Sequence, residues 1–570
     1  MKLLPHEHAR LVESAIQAAQ AAGELPAFAI PAIEIRPPKK AEQGDYACAI
    51  AMQVAKAAGL NPYEIAEKIV KHLPTAEFVG SVEAIKPGFI NFRLSEDWLR
   101  AQVEAIIAEG EALYTLDLGK GKRAQVEFLS ANPTGPITVG RSRGAIVGDS
   151  IARMLEAAGY TVEREYYFNN AGKQMHDLGN SLRIRYLEAL GRPVEIPESD
   201  FYKGEYLIDF ARDLVAERGD ALANEDWKPF KEYAEQKMFE WIKATLKRLD
   251  IHHDVFFNEN SLYDSGAVNE TLAALEAAGY VYRATQPEAS GDEDNEPAED
   301  SGKGMATWFR SARLGDAKDR VLLKSDGTPT YTLPDIAYHL NKFNRKFDLL
   351  VNILGADHGA QYKVVQYGLR ALGIDPAPLH VIIIQLVRMV RDGKEVKMST
   401  RRGVYDTLDE LIDQTSADVV RYMLLARSPD SHLNFDLNLA VKQSNENPVY
   451  YIQNAHVRCA GIFREAAGRG TDDAGADLSH LGEAELRFIR KALELGDIIE
   501  VSATNLEPHR IAFYAHELAS VFHPIYDEVR ALHSDIAPEV ARARLRFYRA
   551  AQVVFRRVLT LMGMSAPERM

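Results

Sequence analysis

Cysteine is nearly missing from this chain of 570 residues, Cys48 and Cys459 being the only two. A pair so far apart argues against a disulfide framework and excludes a four-cysteine zinc site, so no protein-bound zinc is expected and both side chains read as buried apolar residues. Long apolar runs are lacking too. No stretch reaches the roughly 18 residues that span a bilayer, and Met1–His8 has no apolar h-region, so no membrane partner and a cytoplasmic location are expected. Positive charge is in deficit, with 67 Lys and Arg against 82 Asp and Glu and a net charge of −15. Indiscriminate binding to nucleic acid is thereby discouraged, and a polynucleotide would have to meet local basic patches. Two phosphate fingerprints are absent as well. No Gly-x-x-x-x-Gly-Lys-Ser/Thr occurs, and Gly119-Lys120-Gly121 lacks a third glycine and precedes its strand. Neither an ordinary P-loop protein nor a dehydrogenase is supported.

What is present is a soluble globular composition, 46% hydrophobic and 26% charged, on a chain long enough for three or four domains. Residues 1–115 read as a small α+β module. Helical periodicity runs from Ala9 to Ala22, a second helical stretch is expected to begin at Gly44-Asp45-Tyr46-Ala47 and a third at Asn61-Pro62, and Phe89–Leu94 alternates as a strand. Its basic spots, Arg36, Lys39 and Lys40, suit a solvated face or an RNA contact.

Residues 116–405 alternate apolar strands with helices, the pattern of a mostly parallel sheet covered on both faces. Strands are expected at Val126–Leu129, Tyr160–Phe168, Leu349–Leu354 and Val381–Leu386, with an amphipathic helix from Tyr362 to Leu372. An insertion is expected between about 180 and 320. It carries an acidic run over about 286–303 whose Pro and Gly punctuation reads as a disordered surface loop. From 406 to 570 the chain reads as nearly all helical. Its last helix carries Arg542, Arg546, Arg549, Arg556 and Arg557, suited either to internal salt bridges or to a polynucleotide backbone.

Val126–Ala145 is the stretch that places chemistry. A strand passes through a Pro and Gly turn into a helix, and the unpaired N–H groups and positive dipole end of such a helix suit a phosphate. A purely structural turn of the same composition is equally compatible. Ligands of open α/β sheets bind beyond the carboxyl ends of strands, so this turn and Gly355-Ala356-Asp357-His358 are expected to converge. Beyond them, Arg391–Gly403 reads as a hairpin turn and a loop rich in cations. Taken alone it is a solvated charge run; beside a nucleotide turn, Lys397 and Arg401 would reach a polyphosphate.

Lys397-Met398-Ser399-Thr400-Arg401 resembles the Lys-Met-Ser-Lys loop of class I aminoacyl-tRNA synthetases. Ala131-Asn132-Pro133-Thr134-Gly135-Pro136, continuing into Val139-Gly140, resembles their His-Ile-Gly-His region in its arginyl form. Arg164–Gly172, Asp326–Tyr338, Gly44–Asn91 and Ala566–Met570 are similar to arginyl-tRNA synthetases as well, so the resemblance covers essentially the whole chain. It implies an N-terminal α+β tRNA-binding domain over 1–115, a Rossmann-like catalytic core with insertion over 116–405 and an all-α anticodon-binding domain over 406–570. Asp418-Val419-Val420-Arg421 resembles the family's Asp-Ala-Leu-Arg signature with its middle residues changed.

The resemblance further implies ATP-dependent ligation of L-arginine to its tRNA through an arginyl-adenylate, by a monomer, with ATP as substrate and Mg2+ accompanying it. Glu127, Tyr331 and Asp335 match the positions of the arginine pocket, and Asn132, Gln361 and Ser130 those of further contacts to the amino acid. A guanidinium calls for such carboxylates and an aromatic wall. Taken singly, Asp335 also suits a helix cap and Tyr331 a core position. Pro136, Thr138, Gly140, Arg141, Met398 and Ser399 match the ATP site, and Thr138, Arg141, Lys397 and Arg401 the catalytic positions. No residue is assigned to a metal. The family's two histidines fall on Thr138 and Arg141, which retain hydrogen-bond donors for phosphate with different placement and charge. A catalytically silent tRNA-binding protein, a related nucleotidyltransferase and a synthetase for another amino acid are the competing readings, lysine being the chemical near-miss.

Overall fold

The computed structural model describes residues 2–289, 304–356, 361–396 and 407–570. Lys397, Met398, Ser399, Arg401, Asp357, His358 and most of the acidic run lie outside the described residues. The chain divides into two compact units. One joins both ends, Met1–Asp117 with Gln443–Met570, and the other is Leu118–Lys442.

The N-terminal part of the first unit begins with α1 (Leu4–Ala21) and β1 (Ile35–Arg36). The stretch expected to be helical from Gly44 instead forms β2 (Tyr46–Cys48) before α2 (Ile50–Ala58) begins. Tyr46 and Cys48 are buried and lie opposite Phe92 and Ile90 of the next sheet strand, so cross-strand burial overrides a helical pattern there. α3 (Pro62–Lys71) starts as its sequence dictates, with Pro62 in the first turn and the Asn61 side chain accepting from the Tyr63 N–H. β3 (Val79–Ile85), β4 (Phe89–Leu94) and α4 (Glu96–Glu109) complete this module, whose sheet order is β1-β2-β4-β3.

The second unit opens with β5 (Arg123–Glu127), α5 (Val139–Ala157), β6 (Thr161–Phe168), α6 (Gly172–Ala189), α7 (Tyr206–Arg218) and α8 (Lys228–Arg248). β7 (Val255–Asn258), α9 (Asn260–Asp264), α10 (Ala267–Ala277), β8 (Val281–Ala284), β9 (Ala306–Phe309) and β10 (Arg320–Leu323) follow, then α11 (Thr332–Asn344), β11 (Leu349–Gly355), α12 (Gln361–Ala371) and β12 (Leu379–Ile384). The expected parallel sheet is present with strand order β12-β11-β5-β6-β7, every neighbouring pair parallel. Within the expected insertion, β7 returns to this sheet as an edge strand, while β8, β9 and β10 make a small antiparallel sheet of their own.

β13 (Val387–Arg391) and β14 (Lys394–Glu395) form the expected hairpin, with Asp392 and Gly393 both at positive φ as a two-residue turn requires. α13 (Leu408–Gln414), α14 (Ala417–Leu425), β15 (Leu433–Asp436) and α15 (Leu437–Ala440) also belong to this unit, and β15 pairs parallel with β13.

The C-terminal helices are α16 (Pro448–Gly468), α17 (Glu483–Leu493), α18 (Leu495–Asn505), α19 (His509–Glu528) and α20 (Pro538–Leu561). Their apolar faces meet in a core that includes Phe488, Phe522, Phe547 and Phe555, and the tail lies along α16, where Pro567 O pairs with His456 Nδ1 at 2.8 Å. Among the described residues no helix is long and apolar enough to cross a membrane. Cys48 and Cys459 are both buried free thiols.

Candidate active site

β5 carries its apolar residues into the sheet interior and ends on Glu127, which is only 4% exposed. After Phe128 the chain turns through Leu129, held at φ 61°, into the loop that reaches α5. This loop is stapled from several sides. Tyr166 donates to Ala131 O at 2.9 Å, Tyr206 to Thr134 O at 2.7 Å, and Asn132 accepts from the Asn169 N–H and donates to Gln174 Oε1, both at 2.9 Å. Behind it, a Cβ on Gly148 would fall 2.3 Å from the Phe128 ring, so only glycine lets α5 approach β5 this closely.

The first turn of α5 faces outward. Thr138, Gly140 and Arg141 are exposed, and among the described residues the Thr138 hydroxyl makes no capping bond and a Cβ on Gly140 would meet nothing within 4 Å. The Arg141 N–H is taken by Thr138 O at 3.1 Å, and the helix start sets its dipole end, a hydroxyl and a guanidinium side by side, chemistry that suits a phosphate. Arg143, one turn further in, is fully buried and fixes this start. Its guanidinium donates to the carbonyls of Gln385 at 3.1 Å, Ser431 at 2.7 Å and Ser428 at 2.8 Å, binding α5 to the segments that lead into β13 and β15. Deeper in α5, buried Asp149 accepts from Arg421 at 2.5 Å and Arg153 at 2.8 Å. Arg421, the last residue of the Asp418–Arg421 motif, thus acts within the Leu118–Lys442 unit, on the helix that follows the loop.

A second group of residues meets at the carboxyl end of β5. Glu127 Oε1 accepts from the Ser130 hydroxyl at 2.7 Å, and Oε2 from Lys342 Nζ of α11 at 2.5 Å. Lys342 also donates to Asn352 Oδ1 of β11 at 2.8 Å, Asn352 Nδ2 pairs with His339 Nε2 at 2.8 Å, and His339 Nδ1 with the Asp335 carbonyl at 2.8 Å. Burial pushes the Glu127 carboxyl up, but the adjacent Lys342 charge and hydrogen bond, with His339 and Ser130, hold it below the ordinary range. His339 is driven down to about 4 by burial and by Lys342, so it stays neutral.

Asp335 lies in the first turn of α11, and Tyr331, 78% exposed, is its N-cap residue. Tyr167 ties the acidic groups together. Its hydroxyl donates to Glu259 Oε2 at 2.5 Å, and burial with the charges of Glu259, Asp335 and Glu127 raises its pKa far above the usual phenol value. Tyr263 is likewise raised to about 12 by burial and by Glu259 and Asp335. Three carboxylates and two phenols grouped in this way suit a cation.

The structure thus brings Glu127, Ser130, Asn132, Asp335 and Tyr331 to one end of the sheet, with Thr138, Gly140 and Arg141 on the next helix start. Pro136 lies in the loop between, and Gln361 opens α12 beyond β11. Ser130 is engaged from two sides, donating to Glu127 and accepting from the Tyr167 N–H at 3.1 Å. Sequence reasoning missed Glu259, Tyr263 and Lys342. Glu259 sits in the insertion without a periodic signal; the i, i+3, i+4 and i+7 spacing of Asp335, Tyr338, His339 and Lys342 puts them on one helical face, but that spacing does not say which face is buried.

Comparison with known proteins places the chain in a family. Residues 102–425 match the catalytic domain of class I tRNA synthetases (R), residues 7–94 the arginyl tRNA synthetase N-terminal domain and residues 452–570 the DALR anticodon binding domain. The chain is 42% identical to the arginine–tRNA ligase of Heliobacterium modesticaldum over 98% of each chain, and 43% identical to that of Carboxydothermus hydrogenoformans over 97% of each. The arginyl-tRNA synthetase of Thermus thermophilus shares the fold, with a TM-score of 0.73 at 21% identity, covering 99% of this chain and all of that one. With matched domains over most of its length and relatives above 40% identity end to end, the chain belongs to the arginyl-tRNA synthetase family.

Proposed function

We propose that the two sites at the carboxyl end of the sheet hold arginine and ATP, and that the chain ligates L-arginine to its tRNA. The observation that carries this reading is the cluster of Glu127, Glu259 and Asp335 about Tyr167, whose hydroxyl donates to Glu259 and whose N–H reaches Glu127 through Ser130, at the end of the strand that leads to the α5 start. Asp335, Glu127 and Tyr331 receive the guanidinium side of arginine, Asn132 and Gln361 its backbone groups, and Ser130 supports Glu127. The α5 start, with Pro136, Thr138, Gly140 and Arg141, receives the ATP phosphates, and Met398 and Ser399 complete the nucleotide contacts.

In the first step, an oxygen of the arginine carboxylate attacks the α-phosphorus of ATP. The bond to the bridging oxygen breaks, giving arginyl-adenylate and pyrophosphate. Both reactants are anionic at the reacting centre, so positioning and charge stabilisation dominate. Thr138 and Arg141 donate to phosphate oxygens, and Lys397 and Arg401 neutralise the charge that develops on the leaving pyrophosphate. Mg2+ arrives with ATP as part of that substrate, and no step is assigned to a protein-bound metal. In the second step a hydroxyl of the tRNA's terminal ribose attacks the activated carbonyl and releases AMP. The N-terminal module and the helices over 452–570 hold the tRNA, the latter at its anticodon, and the protein works as a cytoplasmic monomer. Guanidinium recognition by a rigid carboxylate pocket favours arginine over lysine, whose point charge lacks the planar fork.

The test is ATP–pyrophosphate exchange and charging with cognate tRNA, using arginine and lysine in parallel. Charging is expected with arginine alone, and exchange at least a hundredfold slower in a Thr138→Ala, Arg141→Ala double variant, as for loss of donors to a charged transition state. Wild-type exchange in that variant would remove both residues from the ATP site. Binding of tRNA without any charging would instead favour the silent tRNA-binding protein.

A further inference from the structure

Lys342 is fully buried on α11, where an ammonium is expensive to hold and an apolar side chain would pack as well. Its surroundings are specific. Nζ lies 2.5 Å from Glu127 Oε2, 2.8 Å from Asn352 Oδ1 and 4.6 Å from the Tyr338 ring centroid. Other ionisable groups face Glu127 from two elements, His339 and Tyr338 from α11 and Tyr167 and Glu165 from β6. Of these His339 is neutral, and Glu165 is engaged by the Tyr338 hydroxyl and by Arg345 at 2.6 Å. The direct ion pair of Glu127 is thus with Lys342. From that ammonium one chain of bonds runs through Glu127 to Ser130 and another through Asn352 and His339 to the Asp335 carbonyl.

We infer that Lys342 is the positioning residue of the amino-acid pocket, holding Glu127 ionised and oriented and tying Ser130 and the first turn of α11 to the same ammonium. The inference rests on the arginine-pocket reading above. Lys342 acts through Glu127 and Asn352, the side chains to which its ammonium donates. Without its charge, burial, which raises the Glu127 carboxyl, is opposed only by His339 and Ser130, so the carboxyl holds a proton more tightly, and an incoming arginine, itself a cation, must displace that proton before the carboxylate can pair with it. Arginine binding then depends on pH in a way that wild-type binding does not.

The experiment is calorimetric titration of the full-length protein with arginine at pH 6 and pH 8.5, with folding checked by circular dichroism, for wild type, Lys342→Gln and the pair Glu127→Gln, Lys342→Gln. Wild-type affinity is expected to be flat between the two pH values. Lys342→Gln should bind more tightly at pH 8.5 than at pH 6 by roughly tenfold, the size of a shift of one pKa unit, and the double variant should lose this slope. A purely structural lysine would weaken binding by the same factor at both pH values, and such parallel behaviour would overturn the inference while leaving the pocket intact. If Lys342→Gln fails to fold but the double variant folds, the coupling of the two residues is supported; if neither folds, the positioning role gives way to a general structural one. Absence of arginine binding by the wild type would instead sink the pocket reading itself.

Discussion

Asp497 on α18 presses a carboxylate among Tyr46, Tyr114, Glu494 and Glu500, and its Oδ1 is buried without a hydrogen-bond partner. Burial and then the charges of Glu500 and Glu494 push it up to about 7. The folded protein therefore binds this proton more tightly than the unfolded chain, so the associated stability is full below pH 4 and declines as pH rises towards 7. Asp497→Asn should raise stability at pH 8 by on the order of 2 kcal/mol and much less at pH 5. Thermal unfolding of the two proteins at both pH values checks this; an equal gain at each would show that the carboxyl titrates normally. Residues of this kind are invisible in the sequence, because a lone acid on a helical pattern looks like a solvated one. Glu127 was legible by its motif, but its partner Lys342 was not singled out: one buried lysine reads like any surface lysine until α11 is laid against β5. Thr138 and Arg141 were legible as departures from a signature, and the outward-facing start of α5 is where such departures matter.

α5 sits where it does because of what it lacks on one face and carries on others. Gly148 admits the Phe128 ring, Asp149 receives Arg421 and Arg153, and Arg143 gathers carbonyls from the segments ahead of β13 and β15. Gly148→Ala is expected to push the helix off the sheet, destabilising the protein by about 1–3 kcal/mol, as overpacking does. Because the same helix presents the proposed phosphate site, KM for ATP should rise several-fold while arginine affinity changes little. Calorimetry and exchange kinetics separate the two. Unchanged stability would mean that Phe128 has room to turn away. Elements with a strong pattern were legible: β6, β11 and α12 fall within a residue of where apolar runs and amphipathicity place them, and β12 begins and ends two residues before the expected Val381–Leu386. β2 was misread because its three residues adjoin a helix and take their strand character from β4. β7 was hidden in the insertion because four residues carry too short a period, and only pairing with β6 identifies it.

At the scale of the whole molecule, the chain's two ends build one compact unit. α4 packs against α17 and α20, Tyr114 donates to Leu493 O at 3.0 Å, Arg557 to Leu113 O at 2.9 Å, Arg546 pairs with Glu104 at 2.7 Å, and Arg490 lies 3.3 Å from Asp45. Part of the basic stripe on α20, which suited a polynucleotide as well as salt bridges, is thereby taken up inside the protein. Arg546 and Arg549 also converge on Asp473, whose carboxyl their hydrogen bonds hold at about 2. No sequence pattern announces this pairing, since its partners stand hundreds of residues apart and each half looks like a self-sufficient amphipathic domain. Two independent domains would open separately, whereas a shared core opens as one cooperative unit. Hydrogen exchange followed by mass spectrometry across a urea series should therefore show α4 and the helices from α17 to α20 losing their slowest protection with one common opening free energy. A Tyr114→Ala substitution, which removes a fully buried ring from the junction, should lower that common value by about 3–5 kcal/mol for both segments together. Loss of protection in α4 alone, with α17 and α20 unmoved, would instead show the two ends to be separate folding units that only touch.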